Sequence, residues 1–86
     1  MKGELKNGFK FEIDDDIQDD MELIDAIAAA DENPAKISAV VYMMLGEDQR
    51  QKLYDHVRGE NGKVSAKAIG ECIMEMIEAS GETGKN

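Results

Sequence analysis

Lys2-Gly-Glu-Leu-Lys-Asn-Gly-Phe-Lys-Phe-Glu-Ile13 alternates charged and apolar residues on either side of Asn7-Gly8, a strong turn signal, and reads as a β-hairpin. Its register can be argued from side-chain faces. A two-residue loop would pair Lys6 with Phe9 and put Leu5 on the face opposite Phe9, Phe11 and Ile13, splitting the apolar set. A three-residue loop of Lys6, Asn7 and Gly8, with Gly8 in the left-handed conformation of a bulge, pairs Leu5 with Phe9 and gathers all four apolar residues on one face. The same register sets Glu4 opposite Lys10 and Lys2 opposite Glu12, ion pairs of roughly 0.2–1 kcal/mol each. An isolated hairpin is marginal in water, so this face must lie on helices or on a partner's sheet, and both edges are expected to stay open for pairing.

Downstream the apolar period changes to that of helices, and about four are expected. Ile17, Met21, Ile24, Ile27 and Ala28 mark a first helix running to about Ala30, with Asp16 or Asp19 as its cap. Asn33-Pro34 reads as N-cap and first residue of a second, striped by Ile37, Val40, Val41 and Met44 and stopped by Gly46. A third carries Glu47 and Asp48 in its first turn and His56 and Arg58 in its last, turns Leu53, Tyr54 and Val57 inward, and ends at Gly59. Ser65 caps a fourth, striped by Ile69, Cys72, Ile73 and Met76 and ending near Gly81. The fold class is therefore mainly α with a small β part: one globular domain over 1–81, hairpin 2–13 and helical part 17–80, with 82–86 as a flexible tail.

Composition narrows the function. With 19 acidic against 10 basic residues the net charge is -9, which repels phosphate backbones and anionic lipids, so neither nucleic acid nor membrane is an expected partner. The longest apolar stretch, Ala39 to Leu45, falls far short of the ~20 residues of a bilayer span. The first residues lack the apolar core of a secretory signal, and Cys72 is the only cysteine, so cytoplasmic residence is expected.

The possible chemical sites are thin. Asp14 to Asp25 has the acid density of a calcium loop but lacks its turn glycine and places aspartate where the closing glutamate belongs; a solvated helix cap accounts for it. His56 and Cys72 could form a nucleophilic dyad only if Cys72 left its apolar stripe. No Asp-Ser-Leu is present to carry a phosphopantetheine arm, and neither CxxC, HExxH nor a phosphate-binding glycine loop occurs. No enzyme, metal, cofactor or small-molecule substrate is expected. Four apolar residues fall off the helical stripes: Leu23, Tyr42, Met43 and Met74. They would widen the core, or form an exposed patch in which adaptable methionines and a tyrosine bind protein, the reading favoured by six methionines in the chain.

Leu5-Lys-Asn-Gly-Phe-Lys-Phe-Glu-Ile-Asp14, Asp19-Asp-Met-Glu-Leu23, Asp31-Glu-Asn-Pro34, Leu45-Gly46, Leu53-Tyr-Asp-His56 and Gly84-Lys-Asn86 together resemble the tail assembly chaperones of long-tailed phages and prophages of Gram-positive bacteria. The resemblance spans nearly the whole chain but rests on turns, caps and stripe positions, and it brings no catalytic residues. It implies a protein of the bacterial host's cytoplasm, left out of the mature virion and self-associating as an oligomer. Such a protein coats the tape measure protein, keeps it soluble, and gives way as tail tube protein polymerises around it. It also implies a longer, frameshifted form extending from about Lys85-Asn86. Two other readings compete: an acidic DNA mimic that inhibits a host nucleic-acid-binding protein, and a small regulatory or toxin-neutralising module. Mimicry requires an unbroken carboxylate array, whereas Lys2, Lys10, Arg50, Arg58 and Lys67 punctuate this surface.

Overall fold

A computed structural model describes residues 1–84, with side chains as far as Gly81. Strands β1 (Lys2–Glu4) and β2 (Lys10–Glu12) pair antiparallel, with Lys2 opposite Glu12, Gly3 opposite Phe11 and Glu4 opposite Lys10. This is the register that the three-residue loop requires. The Leu5 amide donates to Phe9 O at 2.8 Å, the Gly8 amide returns to Leu5 O at 2.9 Å, and Gly8 takes a φ of 91°. Leu5, Phe9, Phe11 and Ile13 are all buried, so the apolar face is undivided. Gly3 is required beneath it, because a Cβ there would stand 2.6 Å from Phe11 Cζ.

The helical part holds three helices, α1 (Met21–Glu32), α2 (Ile37–Val57) and α3 (Ala66–Gly84), where about four were expected. The difference lies at Gly46. Its φ of 75° and ψ of 177° are non-helical, yet the chain resumes as a helix at once, so the expected stop is a kink within α2. Only glycine enters this region of backbone space readily.

The first helix also departs from expectation. Ile17–Asp19 forms a separate 3-10 turn, Asp20 is extended (φ -99°, ψ 103°), and its carboxylate, in place of Asp16 or Asp19, caps α1 by accepting from the Leu23 amide at 3.2 Å. That interruption resets the helical phase. Leu23, Ala26, Ile27 and Ala30 face the core, while Met21 and Ile24, assigned to the stripe, are exposed. Asn33 does cap the next element, accepting from the Ala35 amide at 3.2 Å, but Pro34–Lys36 is a 3-10 turn and α2 begins only at Ile37. Ser65 Oγ caps α3 as expected, accepting from the Ala68 amide at 3.1 Å. That helix continues past Gly81 to Gly84, so residues 82–84 of the expected tail have helical backbone, and Lys85 and Asn86 lie outside the described residues.

Leu53, Ile73, Met76, Val40 and Val41 form the centre of the core, on which the hairpin face lies. α1 and α3 both pack on α2, and β2 packs on α2 as well. Gln49 fastens the last of these contacts. Its Oε1 accepts from the Glu12 amide at 2.7 Å, and its Nε2 donates both to Glu12 O at 2.7 Å and to Leu45 O at 3.0 Å. One side chain thus takes the place of a neighbouring strand at Glu12 and satisfies a carbonyl beside the kink. The outer edge of β2, expected to be open, is closed at this point. Gln49→Leu keeps the bulk and removes all three bonds; with water able to replace part of them, a loss of about 1–2 kcal/mol is expected, with faster amide exchange at Glu12. Unchanged exchange there would show that Gln49 does not hold the edge.

Candidate functional site

The four off-stripe residues do not share one environment. Leu23 is 2% exposed and belongs to the core, so it is no surface anchor; the reset phase of α1 turned it inward. Tyr42, Met43 and Met74 remain exposed at 51%, 43% and 52%, alongside Met21 and Ile24 on α1.

They open onto three separate hollows, each walled partly by α1. Tyr42 lies beside Ala26, Ala29 and Ala39, with Lys36 and Arg50 at the margin. The Arg50 guanidinium stands 5.2 Å from the Tyr42 ring centre, joining the two arms of α2 across the kink. Met43 instead borders an acidic cleft with Met21, Asp14, Asp16, Asp19 and Glu22. Met74 lines a mainly apolar groove of about 600 Å³ between α1, the start of α2 and α3. Ile27, Ile37 and Ile77, all half-buried, share that lining with Gly70. Ile27 and Ile37 pack against the core, as their stripe positions imply, and also reach the groove, whereas Gly70 enters it with no apolar signal beyond that of an isolated glycine inside a helical pattern.

Polar chemistry gathers at the hairpin tip. The Lys6 amide donates to Glu75 Oε2 at 2.9 Å, and Asn7 Nδ2 donates to Cys72 Sγ at 3.7 Å. His56 Nε2 lies 2.9 Å from Asn7 O; since a carbonyl only accepts, this nitrogen carries the proton. Its ring also packs on Phe9, with centroids 5.6 Å apart. His56 and Cys72 therefore each hold Asn7 and anchor the turn to α2 and α3. Burial pushes the Cys72 thiol up from its ordinary value, the Asn7 bond opposes this, and the charges of Glu75 and Glu71 add to it. A thiol held protonated is a poor nucleophile.

Among the described residues no three His, Cys, Asp or Glu side chains converge as a metal site would require; Asp14, Asp16, Asp19, Asp20 and Glu22 line one cleft, where Asp20 also caps α1. Asp15 lies 2.8 Å from the Met1 amino group. No helix among them is long and apolar enough to cross a membrane. The geometry offers two mainly apolar hollows with charged residues among their linings, at Tyr42 and Met74, and one acidic cleft at Met43, all suited to protein side chains. No family model, curated protein or solved structure matches the chain.

Proposed function

We propose that this protein is a tail assembly chaperone of the long-tailed phage type, which binds the tape measure protein, keeps it soluble and releases it as tail tube protein polymerises. The observation that carries the reading is the exposure of Tyr42, Met43 and Met74 in separate hollows around α1 and α2. Two mainly apolar hollows and a methionine-bearing acidic cleft on one acidic body suit a long client held by repeated weak contacts, and the net charge of -9 keeps such complexes in solution. Methionine at two of the three sites lets the surface adapt to different client segments. Self-association along the client, in the host cytoplasm, belongs to the same proposal.

The test is co-expression with the tape measure protein. Wild-type protein is expected to hold the client in the soluble fraction, and the triple variant Tyr42→Glu, Met43→Glu, Met74→Glu to lose most of it while keeping its helical circular dichroism. All three positions are already solvent-exposed, so the fold should tolerate the charges. A client that stays soluble with no chaperone present would remove the basis of the proposal.

A further inference from the structure

The Met74 groove carries more detail than the other two hollows. Along α3 its wall runs from Lys67 to Glu78, about 17 Å at the helical rise, or about three turns of a docked helix. The lining is apolar, with Ile27, Ile37, Ile73, Met74 and Ile77. Its margin holds four carboxylates, Asp31, Glu71, Glu75 and Glu78, against two ammonium groups, Lys6 and Lys67. Glu71, Glu75 and Glu78 recur at helical spacing, placing negative charge along one wall. Gly70 is a separate sign. A glycine inside a helix destabilises it relative to alanine, and here nothing lies within 4 Å of where a Cβ would stand, so packing within the chain does not account for the residue. It leaves a low point in the groove wall at which another backbone can come close.

We infer that this groove takes an amphipathic α-helix whose apolar stripe is flanked by lysine or arginine, seated along α3 with its closest approach at Gly70. Rim carboxylates select the cationic flanks, and Met74 adjusts to the client's side chains. This rests on the chaperone reading for the client's identity, but the groove can be tested apart from it.

The probe is a labelled synthetic helix of about five turns, with leucines at i, i+3, i+4 and i+7 flanked by lysines, compared with a peptide carrying glutamate for each lysine. The cationic peptide is expected to bind, and more weakly as salt is raised. The double variant Glu71→Lys, Glu78→Lys is expected to weaken it about tenfold. Gly70→Leu should abolish binding while melting no lower than wild type, since leucine favours the helix and its Cβ meets nothing within 4 Å. Equal binding of the acidic peptide, or undiminished binding by Gly70→Leu, overturns the inference. So does a wild-type dimer that Gly70→Leu converts to monomer without any peptide binding, because a second copy would then occupy the groove. A tape measure protein soluble by itself would defeat the chaperone reading and leave the peptide result standing. A client solubilised equally well by Gly70→Leu would defeat the groove as its seat and leave the chaperone reading intact.

Discussion

Phe11→Ala is expected to remove about 3–5 kcal/mol of stability, the range for deleting a buried phenylalanine ring. Phe11 is 4% exposed on a hairpin that could not stand alone, and its ring lies over Gly3 and against the helical core. Losing it opens a cavity that Gly3, opposite with no side chain, cannot fill. Against a total of about 5–15 kcal/mol, and nearer the lower end for a chain this short, the change consumes much of the margin. Thermal unfolding should fall by on the order of 15–30 °C. The measurement is a denaturant titration followed by circular dichroism. A loss under about 1 kcal/mol would mean that the hairpin is an appendage and not a wall of the core.

Gly46→Ala has a sign that decides what α2 is. In a regular helix alanine would stabilise by about 1 kcal/mol over glycine. At φ 75° and ψ 177° an L-residue is instead strained, and a cost of about 1–3 kcal/mol is expected. The built Cβ meets nothing within 4 Å, so the cost belongs to the backbone alone. A chain made by synthesis with D-alanine at 46 should escape it, because the mirror-image conformation is ordinary extended backbone. If α2 straightened to accommodate L-alanine, Gln49 would lose its place between Leu45 O and Glu12, and exchange at the Glu12 amide would rise. A stabilised Gly46→Ala protein would rule out the kink.

How much of this was legible beforehand varied with the kind of signal. The loop Lys6-Asn7-Gly8 could be chosen because a slip of one residue sends Leu5 to the wrong face, a consequence visible in sequence. The α3 stripe was equally plain, with Ile69, Cys72, Ile73 and Met76 all buried. The first helix misled because Met21, Leu23, Ile24 and Ile27 surround it with apolar side chains, so hydrophobicity marks no single face. The extended Asp20 then shifted the phase on which the stripe had been counted. Of the surface candidates, Tyr42, Met43 and Met74 are exposed as that reading required, but their separation into three hollows could not be seen along the chain.

By itself, then, the sequence determined the hairpin register, the caps at Asn33 and Ser65, the helical break at Gly46 and the buried face of α3. Each depends on residues within a few positions: an alternation of period two, a side-chain oxygen near a free amide, a glycine able to take positive φ. Tertiary structure alone decided that Gly46 kinks α2 without ending it, that Leu23 turns inward while Ile24 does not, that Gln49 closes the edge of β2, and that α1 and α3 leave a groove between them. These outcomes depend on which surfaces meet, because a helix apolar on several sides buries whichever face its neighbour can fill.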